Sequence, residues 1–207
     1  MFKIITKTLE DKFYCEDNLI LEYKINYPQV VNNRCNFFKF NSYNYKLALA
    51  LQKNIEDNLL QEAQNLYEYN KSNGYPIMTY DVLQTYNITY NANNIISLYT
   101  EQYIYSGGAH GATNITGQTW NMKCSRLMSL SDFYPNNEYF ILYLLKQINY
   151  EISKSSENYF DNYCTLVLET FNPNNFYITS SKTLCVFFGE YDIAPHSTGI
   201  PTFCVNY

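Results

Sequence analysis

The segment that most constrains the fold is Tyr105–Gly111, because it holds three of the chain's seven glycines within five positions. Glycine adopts backbone angles that a Cβ forbids, and it lets another part of the chain approach closely. We therefore predict that Gly107, Gly108 and Gly111 include positions with positive φ or no room for a Cβ, and that strain makes Gly108→Ala destabilising by about 1 kcal/mol or more. A second dense segment, residues 190–201, contains two prolines, one glycine and the second of two histidines. We call these the glycine segment and the C-terminal loop.

The length and charge of the chain limit the class of protein. A chain of 207 residues can bury a hydrophobic core without a disulfide or a metal. The net charge is −5, and the 14 Lys and Arg residues form no basic cluster, which argues against a nucleic-acid partner. The 23 tyrosines suit a surface that holds sugars or peptides, but they equally suit half-buried strands and an AT-rich genome.

The N-terminal twelve residues carry charges where a signal peptide needs an apolar run, and the apolar run at 139–145 is too short to span a membrane. We expect a cytoplasmic protein, or an extracellular one if a leader or anchor was removed. The cysteines include no C-x-x-C pair, so we predict no sulfur-bound metal. Their even number permits three disulfides, but the missing signal peptide and the apolar strand patterns around Cys185 and Cys204 favour six free thiols. They are Cys15, Cys35, Cys124, Cys164, Cys185 and Cys204.

Hydrophobic periodicity predicts the first elements. Alternation over residues 19–27 predicts a strand that ends at Pro28. A helical pattern over 42–70, with Asn41 or Ser42 as its cap and Gly74 as its stop, predicts a long amphipathic helix. Its predicted core face consists of Leu47, Leu51, Ile55, Leu59, Ala63 and Leu66.

The remaining pattern predicts a β-meander, a shorter helix and final strands. Residues 77–90 and 94–105 form a predicted hairpin with its turn at 91–94, and 113–122 form a third strand. A helix at 138–152 buries Ile141, Leu144, Leu145, Ile148 and Ile152. Strands are predicted at 176–179, 184–188 and 203–206. The fold class is therefore α+β, with a mainly antiparallel sheet packed by one long and one shorter amphipathic helix, and no parallel βαβ repeat.

Two kinds of chemistry could involve these segments. His110 could act as a base with Ser106 as nucleophile and Asp192 or Glu190 as orienting carboxylate. His110, His196, Asp192 and Glu190 could instead bind a metal. Both need a spatial contact that the sequence does not reveal, and a tight turn in which His110 bonds to neighbouring backbone explains the same residues. A phosphate site at the glycines is excluded, because no Lys-Ser or Lys-Thr follows them.

Three stretches together resemble a known bacterial family: the glycine segment, the run Leu127–Tyr134, and Tyr191–Pro201. They resemble the domain of unknown function in the extracellular part of the anti-sigma factor RsiV. The same pair of domains precedes the catalytic domain of the peptidoglycan deacetylase PdaC. The resemblance gives an N-terminal family segment at 1–105 and a C-terminal one at 106–207, which we expect to form one compact unit. The chain is most similar to short, stand-alone clostridial members.

The resemblance implies an α+β fold and a non-catalytic binding or sensing module, with a protein or a cell-wall glycan as ligand. It implies no catalytic residue, no cofactor and no metal. Where the family has Ala-Pro-Tyr, this chain has Ala194-Pro195-His196, so a pair of His110 and His196 is not a family feature. The alternative is a hydrolase of a cell-wall or glycan substrate that uses His110 with Asp192 or Glu190. The candidate binding surface consists of Tyr105, Gly107, Gly108, His110, Tyr191, Asp192, Pro195 and His196.

Overall fold

The structure is a computed structural model that describes residues 1–31 and 37–207. It contains a six-stranded sheet in the order β1–β2–β3–β4–β5–β6 and a three-stranded sheet in the order β7–β8–β9. The strands are β1 Ile4–Cys15, β2 Asn18–Val30, β3 Tyr80–Ala92, β4 Ile95–Tyr105, β5 Ala112–Asn121, β6 Arg126–Leu127, β7 Phe176–Ile178, β8 Thr183–Phe187 and β9 Thr202–Asn206. The helices are α1 Phe38–Asn54, α2 Leu60–Asn73, α3 Phe140–Ser153 and α4 Tyr163–Thr170.

The chain divides into two compact units. The N-terminal unit consists of residues 2–86 and 101–113, and the C-terminal unit consists of Met1, 87–100 and 114–207. Strands β3, β4 and β5 therefore contribute residues to both units. Each unit has its own buried hydrophobic cluster.

The N-terminal unit begins with an antiparallel pair, of which the sequence predicted only the second strand. Strand β1 pairs with β2 along its whole length, from Ile4 opposite Val30 to Cys15 opposite Asn18. Most of its side chains are exposed, and only Leu9, Phe13 and Cys15 pack against the core. Its hydrophobic alternation is therefore too weak to identify a strand.

Strand β2 continues through Pro28 to Val30, so the predicted end at Pro28 is wrong. The reason lies in the pairing of β2 with its other neighbour. Strand β3 runs parallel to β2 only over Leu21–Ile25, so the missing N–H of Pro28 removes no ladder bond to β3. In the sequence, the long helix lies between the parallel strands β2 and β3. These three elements form one βαβ crossover, although no parallel βαβ unit was expected.

The long helix is confirmed, but its start and its buried face differ from the prediction. Helix α1 begins at Phe38, so both predicted caps, Asn41 and Ser42, lie inside the helix and neither caps it. Asn41 instead bonds the N–H and the carbonyl oxygen of Val30, at 2.8 and 3.0 Å. A π-helical turn at Ile55–Leu59 connects α1 to α2. The helix ends at Gly74 with φ 70°, as predicted.

The core face of this helix contains buried asparagines as well as aliphatic residues, whereas only apolar residues were predicted. Leu47 is 46% exposed, so its place on the core face is wrong, whereas Ile55 and Ala63 are buried as predicted. The other predicted leucines are half-buried and contact the same cluster. Two asparagines are buried because their side chains bond main-chain oxygens: Asn44 with Phe40, and Asn70 with Pro76.

The predicted hairpin turn is confirmed. Strands β3 and β4 are joined by Asn93 and Asn94, which have φ values of 51° and 59°. Asparagine tolerates this left-handed conformation better than most residues, so a two-residue turn of this kind suits the sequence. The pairs β1–β2, β5–β6, β7–β8 and β8–β9 are antiparallel, which confirms a mainly antiparallel α+β fold.

The C-terminal unit is built on helix α3 and the three-stranded sheet. Leu144, Leu145, Ile148 and Ile152 are buried as predicted, but Ile141 is exposed. Helix α4 was not predicted. The three predicted C-terminal strands are confirmed as β7, β8 and β9.

The prediction of six free thiols is wrong. Cys185 and Cys204 lie directly opposite each other in β8 and β9 and form a disulfide. Alternating strand patterns placed each cysteine in a strand but could not show that the two strands are neighbours in register. Cys15, Cys124 and Cys164 are free, and Cys35 lies outside the described residues.

A matched pair of substitutions tests the packing of the long helix. Ile55→Ala removes a fully buried side chain and should lower the free energy of unfolding by about 2–5 kcal/mol. Leu47→Ala removes an exposed side chain from the same helix and should change it by less than about 0.5 kcal/mol. Chemical denaturation measures both, and equal shifts for the two variants would contradict the observed helix face.

Candidate functional site

The glycine segment owes two of its three glycines to steric constraint. Gly107 has φ +79°, and a Cβ there would lie 2.8 Å from Leu66 Cδ2. A Cβ on Gly111 would lie 2.5 Å from the ring of Tyr103. These two positions confirm the prediction. Gly108 has neither constraint, because its Cβ would meet only the His110 carbonyl oxygen at 3.9 Å, so strain at that position is a wrong expectation.

The side chains of the glycine segment contact its own backbone. The Tyr105 hydroxyl donates to the Gly108 carbonyl oxygen at 3.0 Å. His110 Nδ1 lies 3.1 Å from the Gly111 carbonyl oxygen, and it donates in the Nδ1-protonated tautomer. This is the contact expected when a histidine stabilises a tight turn. Ser106 and His110 are both exposed.

The C-terminal loop is also organised by local contacts. Asp192 Oδ2 accepts the Gly189 N–H at 2.7 Å, and this bond closes a turn in which Tyr191 has φ 63°. The Tyr191 ring stacks on His196, with ring centres 5.6 Å apart. Glu190 Oε1 lies 3.7 Å from His196 Nδ1. The loop thus brings Glu190, Tyr191 and His196 together.

Candidate residues from the two segments belong to different units. Tyr105–Gly111 lies in the N-terminal unit and 190–201 lies in the C-terminal unit. Within residues 1–31 and 37–207, no group of three His, Cys, Asp or Glu side chains could hold a metal ion. None of the helices in those residues is long and apolar enough to cross a lipid bilayer.

The motif at 127–134 stabilises a turn. Ser129 and Asp132 form a capping box on the short helical turn Leu130–Phe133, and Arg126 makes two hydrogen bonds of 2.8 and 2.7 Å to Asp132. The Arg126 hydrogen bonds, supported by those from Ser129, lower the pKa of Asp132 to about 2. The spacing Ser-x-x-Asp is the sequence signal for this cap.

A groove beside the start of α1 was not predicted. It has a volume of about 430 Å³ and receives residues from β1, β2 and α1. We call it the aromatic groove. The described residues that line it are Lys7, Tyr27, Gln29, Phe38, Asn41, Ser42 and Tyr45.

The aromatic groove has a fixed back wall and exposed rings. Tyr27 is buried, and its ring lies 5.9 Å from that of Tyr45 at an angle of 37°. Burial, followed by the neighbouring Tyr45, raises the pKa of Tyr27, so its hydroxyl stays protonated. Gln29 Nε2 donates to the Asn41 carbonyl oxygen at 2.9 Å, which orients the Gln29 side chain.

A second groove of about 520 Å³ lies over β1, β2 and β3, and we call it the charged groove. Its charges mostly satisfy one another. Lys12 pairs with Glu22 at 2.7 Å, and Lys24 pairs with Glu10 at 3.4 Å. Burial, followed by the neighbouring Glu22, raises the pKa of the Asp81 carboxyl in this groove.

Two neighbouring glycines provide a test of the glycine segment. Gly107→Ala should lower the free energy of unfolding by about 1 kcal/mol or more, because alanine is strained at φ +79° and its Cβ meets Leu66. Gly108→Ala should change it by less than about 0.5 kcal/mol, since its Cβ enters open space. Thermal or chemical denaturation distinguishes them. If Gly108→Ala lowered the free energy of unfolding more than Gly107→Ala, the assignment of the steric constraint to Gly107 would be contradicted.

Comparison with known proteins identifies both halves of the chain. Residues 14–113 match the family model described as deacetylase PdaC, and residues 131–207 match the one described as a protein of unknown function, DUF3298. No protein with a curated description matches.

Two solved structures share the fold. A DUF3298 family member from Bacteroides fragilis has a TM-score of 0.72 at 15% identity, and the alignment covers 100% of this chain and 90% of that one. A DUF3298 family protein from Pseudomonas aeruginosa has a TM-score of 0.61 at 13% identity, with coverages of 99% and 91%. The resemblance predicted from the three motifs is thereby confirmed: residues 14–113 are similar to the PdaC family and residues 131–207 to the DUF3298 family.

Proposed function

We propose that this chain is a non-catalytic binding module. The observation that carries the proposal is the use of Asp192, whose carboxylate accepts the Gly189 N–H at 2.7 Å. An orienting carboxylate in a catalytic triad must instead bond the histidine that acts as base. Asp192 therefore has a structural role that competes with the catalytic one.

The position of His110 supports the same proposal. A general base needs a ring nitrogen within reach of a proton to be abstracted. His110 Nδ1 already contacts the neighbouring Gly111 carbonyl oxygen. Glu190, the other carboxylate of the hydrolase alternative, lies beside His196. The candidate surface predicted from the two segments stays a prediction.

The ligand of the proposed module is a cell-wall glycan or a protein. Of the two grooves, the aromatic groove is the better candidate, because exposed rings and a few placed polar groups are typical of ligand sites. Among its described lining residues the charged groove has one aromatic side chain, Tyr23, and that side chain is buried.

We also propose that the module works in an oxidising compartment. Disulfides persist in extracellular and periplasmic proteins and are rare where thioredoxin and glutathione keep thiols reduced. The Cys185–Cys204 disulfide supports an extracellular position over a cytoplasmic one.

Thiol labelling tests the compartment proposal. Protein from its native cells should be unfolded without reductant, alkylated and mapped by mass spectrometry, and Cys185 and Cys204 should stay unlabelled. Cys124 and Cys164, which are exposed, provide internal controls and should be labelled. Reduction should lower the free energy of unfolding by about 3 kcal/mol, as for other loops of similar length. Full alkylation of Cys185 and Cys204 before reduction would contradict the proposal.

An activity and binding screen tests the module itself. The chain should bind purified cell-wall material in a sedimentation assay and should show no turnover of chromogenic esters or of acetylated glycans. The His110→Ala variant and its matched control, His196→Ala, are measured beside the parent chain in both assays. Turnover that His110→Ala abolishes at unchanged melting temperature, and that His196→Ala preserves, would replace this proposal with the hydrolase alternative.

A further inference from the structure

We propose that the aromatic groove is the binding site for an oligosaccharide, an assignment that rests on the proposed function. Sugar rings present apolar C–H faces and polar hydroxyl edges. A matching site needs exposed aromatic faces bordered by hydrogen-bonding groups whose positions are already fixed. The aromatic groove has both.

The aromatic faces come from one side of helix α1. Phe38 is 75% exposed and Tyr45 is 44% exposed, although both are large enough to be core residues. Seven residues of helix separate them by about 10 Å along the helix axis. Two platforms at this spacing suit separate units of a chain-like ligand better than one small ring. Tyr27 forms the buried back wall between β2 and the helix.

The polar border is held in place by backbone contacts. Asn41 bonds both main-chain groups of Val30, and Gln29 donates to the Asn41 carbonyl oxygen. These bonds fix the start of α1 against the end of β2. Groups held in this way lose little conformational entropy when a ligand binds. Ser42 and Lys7 add a hydroxyl and an ammonium group to the border.

The charge of the groove selects against basic partners. The chain has a net charge of −5, yet none of the seven described residues that line the groove is Asp or Glu. Among these described residues, Lys7 is the one that carries a charge. The charged groove, by contrast, is lined by four carboxylates. A neutral ligand, or one with a single negative group, therefore complements the aromatic groove, and a basic peptide does not.

Titration with two defined saccharides tests the assignment. Chitotetraose and cellotetraose, which differ in their acetamido groups, are titrated into the intact chain, and binding is followed by calorimetry and by NMR. At least one should bind. Phe38→Ala and Tyr45→Ala should each weaken that binding about tenfold or more, as expected for aromatic contacts that carry an interface.

A matched control distinguishes binding in the groove from non-specific binding to exposed aromatic side chains. Tyr139 is 72% exposed and lies in the C-terminal unit, before α3, so Tyr139→Ala should leave the affinity unchanged. All three substituted side chains are exposed, and unchanged melting temperatures verify that each variant folds. A loss of affinity in the Tyr139 variant equal to that in the Phe38 variant would overturn the assignment.

The remaining outcomes distinguish this inference from the proposed function. If neither saccharide binds but the chain still sediments with cell-wall material, the groove assignment fails and the binding module stands. If a neutral peptide binds in a way that depends on Phe38 and neither saccharide does, the ligand class is wrong. If the parent chain turns over a glycan, the proposed function itself fails.

Discussion

The C-terminal unit depends on one close backbone approach, between Gly117 of β5 and Phe176 of β7. A Cβ at position 117 would lie 2.0 Å from the Phe176 carbonyl oxygen, so no other residue fits without moving main chain. Next to this contact, the buried Ser97 hydroxyl accepts the Ile178 N–H at 2.9 Å and bonds the Thr119 hydroxyl at 2.8 Å. Leaving such buried groups unpaired would cost about 1–3 kcal/mol each. These bonds hold β7 against β4 and β5 of the same unit at a fixed distance, and the apolar cluster that includes Leu144 completes its core.

The N-terminal unit is fixed by a comparable polar contact inside an apolar interface. The Tyr23 hydroxyl of β2 accepts a hydrogen bond from Gln52 and donates one to Glu56, at the start of the π-helical turn. Burial, followed by Glu56, raises the pKa of Tyr23 to about 12, so the hydroxyl remains a donor at any physiological pH. Together with the bonds between Asn41 and Val30, this contact fixes where α1 lies on β2. The exposed rings of Phe38 and Tyr45 follow from that placement.

Regular periodicity predicted most of the fold, and its failures have physical causes. The long helix, the hairpin at Asn93-Asn94 and helix α3 combine strong patterns with suitable ends, so they were recognisable. Strand β1 was not predicted because most of its side chains are exposed and give no clear hydrophobic alternation. The disulfide between Cys185 and Cys204 was not predicted because the register of neighbouring strands depends on the tertiary structure. A hydrophobic pattern could not predict that two asparagines of the long helix are buried. Their burial depends on hydrogen bonds to main-chain oxygens, which are known only from the folded structure.

The candidate site was harder to predict, because dense motifs and binding surfaces obey different constraints. The glycine segment, the 127–134 motif and the C-terminal loop are rich in unusual residues because their backbones turn sharply, and Gly107, Asp132 and Asp192 each satisfy such a turn. The aromatic groove leaves no such signature. Its residues come from three elements between Lys7 and Tyr45, and each of them has an ordinary role in a strand or a helix. What distinguishes Phe38 is its exposure, and exposure is known only once the rest of α1 has been placed against β2. A motif search therefore finds the residues that the backbone needs, whereas the ligand surface can be recognised only from the burial that the complete fold produces.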